Sequence, residues 1–325
     1  MATTRKSTTK RATKKPVAKK VSSAKTIVKT TTKTSGAVNK LAKKPAVVTI
    51  ENRKTTTTKL GSKTTSTSKS IFERLRNMNL AIAMIQLAQA AAVVLLDKTQ
   101  LALPVSTNYT TTDSLASLGS SQVLVPATKN LLDLRLSYVL AAILVISALM
   151  HIKVATVRRE HYEVGLTNET NRERWISGAL VYGLMLVVVS MVIGISDKSL
   201  LLMIFGGTAV MLLSGWALER NRVLGQRVNP VSYLIGLMSG LAPWLVIAWY
   251  LVMTMRLGEV SYDSYVYVLV GSMALIYLAL IYLHNMQLRR TGSYAVYSNV
   301  ERSFILLSLI ATSALTWQVF ASLLK

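Results

Sequence analysis

The 325-residue chain contains no cysteine and only three histidines. The absence of cysteine excludes disulfides, thiol catalysis, iron–sulfur clusters and cysteine zinc sites. His151, His161 and His284 lie at none of the common metal-ligand spacings, so we expect no metal site. Acidic residues are also few, at 14 against 38 lysines and arginines, which gives a formal net charge of +24. A charge this high is unusual beside a hydrophobic content of 51%, because the two rarely coexist in one soluble domain.

The positive charge is concentrated at the amino terminus. Residues 1–76 hold 21 lysines and arginines but only Glu51 and Glu73, a net of +19, whereas residues 77–325 carry a net of +5. Such a segment, without an aromatic residue before Phe72, buries too little apolar area to offset chain entropy. Residues 1–72 are therefore predicted to be a disordered, basic cytoplasmic tail. We expect it to lie on anionic lipid head groups, and non-specific binding to nucleic acid is the alternative.

Residues 73–325 have the composition of an integral membrane protein. Seven apolar runs approach the roughly 20 residues with which a helix crosses a bilayer. The predicted spans are 78–97, 132–153, 175–196, 200–218, 231–254, 265–285 and 303–324. The sequence therefore predicts an all-α, multi-pass protein of the cell membrane, built as a bundle of seven transmembrane helices.

Lysines and arginines in the loops set the predicted orientation. With the amino terminus inside, the inside loops hold eleven of these residues against six outside. Because basic loops stay cytoplasmic, we expect the amino terminus inside and the carboxyl terminus outside. The one long external loop, 98–130, is rich in Ser, Thr and β-forming residues, and a small strand pair is predicted there.

Charged side chains are missing from the middles of the seven predicted spans. Those nearest to the bilayer all lie at predicted helix ends: Asp97, Lys153, Asp197, Lys198, Glu219, Glu301 and Lys325. Proton pumps, ion-coupled transporters and voltage sensors depend on charge inside the membrane, so these functions are not expected. No span offers a nucleophile–base pair, paired carboxylates or a metal cluster, and we expect no enzyme.

The polar groups inside the spans are uncharged. Ser308, Thr312 and Thr316 recur every four residues and form a hydroxyl stripe on the last helix. The stripe is either ordinary hydrogen bonding within a helix bundle or the remainder of a functional site. Gly236 and Gly240 form a GxxxG pattern, which is typical of close helix packing.

His151 lies one turn after Ser147, near the end of the second span. Two interpretations are open for it. Its imidazole either reaches out to the membrane interface or joins an internal polar cluster with Gln86.

Six stretches of the chain resemble heliorhodopsins. They are "LRNMNLAIAMIQLAQA", "SALMH", "NRERWISGAL", "MLLSGWALERN", "GLAPW" and "SLIATSALTWQVF". They occur in the family's order over about residues 72–324, and the basic tail is not part of the resemblance. The resemblance implies a rhodopsin-like bundle, inverted relative to ordinary microbial rhodopsins, that carries retinal as a protonated Schiff base on a seventh-helix lysine. It also implies a light sensor or regulator rather than a strong pump, and a homodimer.

The chain departs from this family pattern at the point of retinal attachment. The family's seventh helix has a serine, three residues and then the retinal lysine; here Ser308 matches, but the lysine position is Thr312. The family's third helix has Arg-Trp-x-Glu, in which the glutamate is the counterion. Arg174 and Trp175 match, but the counterion position is Ser177. A hydroxyl cannot form an imine, so the resemblance predicts a divergent member without covalent retinal.

Other family positions give a candidate pocket. Gln86 replaces a family histidine of the first helix, whereas His151 keeps its second-helix counterpart. The predicted pocket residues are Gln86, Ser147, His151, Trp244, Ser308 and Trp317.

Three functions follow from these features. The first is a sensory, regulatory or ligand- or partner-binding membrane protein that has lost covalent photochemistry. The second is a photoreceptor that holds retinal non-covalently between Trp244, Trp317 and the hydroxyl stripe. The third, a transporter or membrane enzyme, has the least support because the spans lack the required groups.

Overall fold

The computed structural model describes residues 60–113, 122–225, 229–259 and 261–323, with residues 60–69, 223 and 323 described by their backbone only. The helices and strands are α1 (Leu60–Leu96), β1 (Ala102–Thr112), β2 (Leu124–Arg135), α2 (Leu136–Ala155), α3 (Arg159–Thr167), α4 (Arg172–Val192), α5 (Lys198–Val223), α6 (Pro230–Leu257), α7 (Ser264–Arg289) and α8 (Tyr297–Leu323). A 3₁₀ turn at Gly292–Ala295 precedes α8.

Seven of these helices, all except α3, are long and apolar enough to cross a membrane. The predicted seven-helix bundle is therefore confirmed. The nine-residue helix α3 was not predicted; it lies in the connection between α2 and α4. The most buried span is α4, with 61% of its apolar window inside the protein, and the least buried is α6, with 22%. Helix α4 is thus the centre of the bundle, and α6 is peripheral.

Helix α1 begins at Leu60 and so includes part of the segment predicted to be disordered. Residues 60–72 are helical in the structure, and the rest of the predicted tail, residues 1–59, lies outside the described residues, so its disorder stays a prediction. Once a helix is nucleated, each added residue costs little, and this stretch contains no proline. The apolar span therefore extends its helix past the end of its apolar run.

The predicted strand pair is present as an antiparallel hairpin of β1 and β2, which register Ala102 opposite Arg135. It contacts the short connection between α4 and α5. Ser106 N donates to Ser196 O at 2.9 Å, and the two serine hydroxyls lie 2.9 Å apart. Asp197 caps α5 by accepting from Leu200 N at 2.9 Å. We call this side of the bundle the hairpin end, and the opposite side the Arg174 end.

Asp97 joins the start of the hairpin segment to α2. Ser137 Oγ donates to Asp97 Oδ2 at 2.5 Å, and Thr99 donates to Oδ1 through its backbone N at 3.2 Å and its hydroxyl at 3.1 Å. The hydrogen bond from Ser137 is the main reason that the pKa of Asp97 is lowered. The ionised carboxylate therefore holds the end of α1 against the beginning of α2.

The GxxxG pattern on α6 lies where α5 and α6 approach most closely. A Cβ added at Gly236 would lie 2.0 Å from Ser214 Oγ, and one added at Gly240 would lie 2.1 Å from Met211 Sδ. Both distances are below any real Cβ contact, so a larger residue at either position would require Ser214 or Met211 of α5 to shift. The predicted packing role of the pattern is confirmed.

Candidate functional site

Thr312 is buried in the middle of α8 and its hydroxyl is fully engaged. It donates to the backbone oxygen of Ser308 at 2.9 Å and accepts from Gln86 Nε2 at 3.0 Å. Gln86 Nε2 also donates to Ser147 Oγ at 2.9 Å. The structure thus brings three of the predicted site residues of α1, α2 and α8 into one uncharged, hydrogen-bonded cluster.

His151 lies next to this cluster but does not bond to Gln86. Its Nδ1 lies 2.7 Å from Asn79 Oδ1, and its Nε2 lies 3.1 Å from Ser308 Oγ. The amide oxygen of Asn79 can only accept, so Nδ1 carries the proton. His151 thus lies in an internal polar cluster, as one of the two interpretations has it, but its partners are Asn79 and Ser308 rather than Gln86, and it does not reach out to the interface. The difference arises because α1 and α2 are antiparallel. One turn along α2 from Ser147 therefore leads back along α1 towards Asn79 rather than to Gln86 or the interface.

The two predicted aromatic walls are not part of this cluster. The Trp317 side chain is 40% exposed on the outside of α8, where it packs edge-on against Phe320 at 6.0 Å between ring centroids. Trp244 on α6 packs edge-on against Tyr277 at 5.2 Å. Its buried indole N–H has no hydrogen-bond partner among the described residues. Trp317 therefore lies on the outside of α8, and Trp244 lies in the bundle at a place separate from the cluster of Gln86, Ser147 and Thr312.

An internal cavity of about 60 Å³ joins part of the predicted site to the Arg174 end. His151, Ser308 and Ser177 line it on one side, and Arg174 and Glu301 on the other. A cavity of this volume holds a few water molecules, whereas ligand sites for drug-sized molecules measure roughly 300–1,000 Å³. Its lining is polar at both ends, which suits water.

A buried ion cluster closes the Arg174 end of the bundle. Arg174 of α4 donates to Glu219 Oε1 of α5 at 2.7 Å and to Glu301 Oε2 of α8 at 2.8 Å. The exposed fractions of the three side chains are 9%, 2% and 3%. The guanidinium carbon also lies 4.3 Å from the ring centroid of Phe304. One cation is thus shared by two carboxylates that are almost completely buried.

Neutral groups donate further hydrogen bonds to the oxygens of the two carboxylates. Glu219 accepts from Trp175 Nε1 at 2.7 Å and from Tyr297 Oη at 2.8 Å. Glu301 accepts from Asn171 Nδ2 at 2.7 Å. Buried charges require this degree of pairing, because each unpaired one costs several kcal/mol.

The sequence prediction missed this cluster, since it assigned Glu219 and Glu301 to helix ends and drew no contact between them. Both lie four residues inside their helices, in the packed bundle rather than at its surface. The sequence did contain a signal for this cluster. In an up-and-down bundle the basic residue Arg174 and the acidic residues Glu219 and Glu301 all fall at the same end. The middles of the described spans still contain no Asp, Glu, Lys or Arg, as the sequence indicates.

The unpredicted helix α3 contributes Tyr162 to the same cluster. Its hydroxyl donates to Glu301 Oε1 at 3.0 Å, and the ring is buried. Burial, and secondly the charge of Glu301, raise the pKa of Tyr162 well above its usual value. Tyr162 therefore stays a neutral donor that fixes α3 against the spans.

Retinal attached through an imine needs a lysine inside the bundle. In the described spans lysine occurs only as Lys153 and Lys198, each at a helix end. Lys153 Nζ pairs with Glu173 at 2.7 Å, and Lys198 is exposed at the hairpin end. The residues present therefore do not fit a covalently bound retinal. The described residues also contain no group of three or more metal-ligating side chains.

Seven apolar helices, covered at one end by a β-hairpin and closed at the other by a buried ion cluster, define a multi-pass membrane protein of the seven-helix class. A family model for heliorhodopsins matches residues 75–324. The chain therefore belongs to the heliorhodopsin family, as its sequence motifs predict. A search of curated protein sequences found no match to it.

Proposed function

We propose that this heliorhodopsin works without covalent retinal, as a ligand- or partner-responsive membrane protein with a sensory or regulatory role, and is not an ion pump. The observation that carries the proposal is the state of Thr312. Its hydroxyl is chemically unable to form an imine, and it is occupied by Gln86 and the Ser308 carbonyl. The position that the resemblance matches to the retinal lysine thus serves as a hydrogen-bonding link between α1 and α8.

The residue matched to the counterion supports the same proposal. Ser177 is uncharged and lines the internal cavity. A carboxylate without a Schiff-base cation would be a buried, unpaired charge of high cost, and a buried cation without its carboxylate would be equally costly. Loss of both leaves a neutral centre, which is consistent with a bundle that is stable without chromophore.

The distribution of charge supports the absence of pumping. The cluster of Arg174, Glu219 and Glu301 lies at one end of the bundle, and Asp97 and Asp197 lie at the other. Between them the described spans present amides, hydroxyls and His151. A proton pump needs a series of titrating groups across the membrane, whereas His151 and His284 both lie towards the Arg174 end and the middles of the described spans hold no Asp, Glu, Lys or Arg.

The alternative is a photoreceptor that holds retinal non-covalently. One observation favours it: Trp244 keeps a buried indole N–H without a partner among the described residues, and a bound ligand with an acceptor group would satisfy it. The internal cavity measures about 60 Å³, so side chains around it would have to move before it could hold retinal, which argues for the first proposal.

Addition of all-trans-retinal to the purified protein distinguishes the two. The first proposal predicts the spectrum of free retinal and unchanged tryptophan fluorescence. The alternative predicts saturable quenching of that fluorescence, and quenching that is lost in Trp244→Phe but kept in Trp317→Phe would establish it. A red-shifted band in the visible would contradict both.

The expected partners stay predictions: the lipid bilayer around the spans, anionic head groups or nucleic acid on the basic tail, and a second copy of the chain in a homodimer. We propose anionic lipid as the partner of the tail, because residues 1–76 carry a net charge of +19 next to a membrane span. Flotation with vesicles that contain phosphatidylserine, using a peptide of residues 1–59, tests this. Tighter retention on duplex DNA at the same salt concentration would favour nucleic acid instead.

A further inference from the structure

A second cavity, of about 30 Å³, lies among α4, α5, α6 and α7 near the Arg174 end, away from Thr312. Its walls are mainly apolar, with Leu218 from α5, Leu237 from α6 and Ile281 from α7. His284 of α7 completes the lining. Such a lining would normally be dry, so the imidazole is the feature that requires an explanation.

His284 is buried and unpaired. It is 8% exposed, and neither ring nitrogen has a hydrogen-bond partner among the described residues. Gln287, one turn further along α7, turns its amide to Glu219 and Arg174 instead. A neutral imidazole carries one N–H donor and one acceptor nitrogen, and leaving both unpaired in a buried place costs free energy.

Aromatic contacts, rather than hydrogen bonds, hold the imidazole in place. Its ring packs edge-on against Trp175 with the centroids 4.8 Å apart, and it stacks on Tyr233 at 6.3 Å. Two other polar groups of the lining are already used: Trp175 Nε1 donates to Glu219, and Ser214 Oγ donates to the Met211 carbonyl at 2.7 Å. The imidazole is thus a fixed and available hydrogen-bonding group.

The cavity borders the lipid-facing side of the bundle. Tyr233, Leu237 and Ile281 are partly exposed at its rim, and the neighbouring Leu234 and Met238 of α6 are 57% and 55% exposed. Helix α6 packs on α5, whereas α6 and α7 do not pack closely, so a seam between them is lined by side chains. Because hydrocarbon offers no hydrogen bonds, a polar group in this place must be satisfied by protein, by a trapped water molecule or by a ligand that enters from the bilayer.

We propose that this cavity binds the hydroxyl of a neutral lipid alcohol, with the apolar body of the lipid lying in the seam between α6 and α7. A hydroxyl both donates and accepts, so it pairs with either nitrogen of His284. The volume admits a hydroxyl and its adjacent carbon but no phosphate head group. The nearest cation of the ion cluster, Arg174, is committed to two carboxylates, so an anionic head group gains no counter-charge. The proposal deepens the ligand-responsive function by naming a ligand class.

The test uses the full chain in phosphatidylcholine nanodiscs and a photoreactive hexadecanol that carries a diazirine near its hydroxyl. We expect saturable labelling of α6 and α7 around Leu237 and Ile281, which unlabelled hexadecanol displaces and hexadecane does not. His284→Phe keeps the aromatic packing and removes both nitrogens, and it should lower the labelling about fivefold, as expected for one lost hydrogen bond. The matched control is His161→Phe on the exposed face of α3, which should label as the parent does.

Two outcomes would overturn the proposal. The first is equal labelling of His284→Phe and the parent, and the second is displacement by hexadecane as effective as that by hexadecanol. Either would indicate an apolar crevice in which the imidazole is hydrated. Ile281→Trp fills the cavity and leaves His284 in place, so it should also abolish labelling even if His284→Phe folds poorly. Hexadecanol should raise the unfolding temperature of the parent and not that of Ile281→Trp. A coloured retinal adduct would contradict the proposed function but leave this labelling unchanged, so the two proposals fail separately.

Discussion

Arg174 is the residue whose removal should destabilise the bundle most, because two buried carboxylates share its charge. Its guanidinium nitrogens lie 2.7 Å from Glu219 Oε1 and 2.8 Å from Glu301 Oε2, and both carboxylates are at most 3% exposed. Arg174→Met keeps much of the apolar side chain and removes the cation. The variant therefore leaves two like charges next to each other inside the protein.

Loss of one partner of a buried ion pair costs roughly 3–5 kcal/mol. Neutral donors from Trp175, Tyr297 and Asn171 remain on the carboxylates, so we expect a loss of about 4 kcal/mol in the free energy of unfolding. For a domain of this size 1 kcal/mol lowers the midpoint by roughly 2–4 °C, which gives a decrease of about 8–16 °C. Thermal unfolding in detergent, followed by circular dichroism, measures it.

The matched control is the same substitution two residues earlier. Arg172 is exposed, and its guanidinium lies 5.4 Å from the Trp216 ring, a contact worth roughly 0.5–1 kcal/mol. Arg174→Met combined with Glu219→Gln and Glu301→Gln should recover most of the loss, because amides need no cation. If Arg174→Met unfolds no earlier than Arg172→Met, the cluster does not stabilise the bundle and our reasoning is refuted.

Three further predictions concern the chromophore site, the orientation and the packing of α6. Thr312→Lys alone should bind retinal as an unprotonated imine that absorbs in the near ultraviolet, and Thr312→Lys with Ser177→Glu should give a visible pigment because a carboxylate then pairs with the imine. In microsomes the exposed sequon at Asn108 should be glycosylated and the exposed one at Asn168 should not, if the amino terminus is cytoplasmic. Gly236→Ala should lower the free energy of unfolding by about 1–3 kcal/mol, because its Cβ would lie 2.0 Å from a serine hydroxyl on α5.

Each of these has a control in the same chain. A colourless but folded double variant shows either that the retinal pocket has been lost or that the match of Thr312 to the retinal lysine is wrong. A glycan on Asn168 reverses the predicted orientation, and Asn108→Gln should remove the expected glycan. For the packing of α6 the control is Gly206→Ala, where nothing lies within 4 Å of the added Cβ and alanine should stabilise the helix. Equal behaviour of the two glycine variants would contradict the close contact.

The bundle was predictable from sequence because each span combines enough length with enough apolarity. The hairpin was also predictable, from the β-forming residues of the first long loop. Helix α3 was not, since a nine-residue segment with a single apolar pair at helical spacing, Tyr162 and Leu166, is too short a pattern to predict a helix, and its position depends on Tyr162 reaching Glu301. The same reason applies to the start of α1: Leu60 has no local signal, and the helix extends from the span that follows.

The sequence indicated several residues of the site but not which of them contact one another. Thr312 and Gln86 follow from the family's motifs, and the structure places them in contact. The partners of His151 depend on how α1 and α2 are aligned along their axes, and no sequence motif specifies that alignment. Trp317 was a candidate pocket residue within the same family-like stretch as Thr312, but five residues along a helix lead to a different face, and there its side chain is 40% exposed.

The central claim, that this heliorhodopsin carries no covalent retinal, is tested most directly by intact-mass spectrometry. The purified chain is incubated with all-trans-retinal and reduced with borohydride, and Thr312→Lys with Ser177→Glu serves as the positive control. We expect an unchanged mass for the parent and one added retinyl group for the control. A stoichiometric retinyl adduct on the parent chain would contradict the claim.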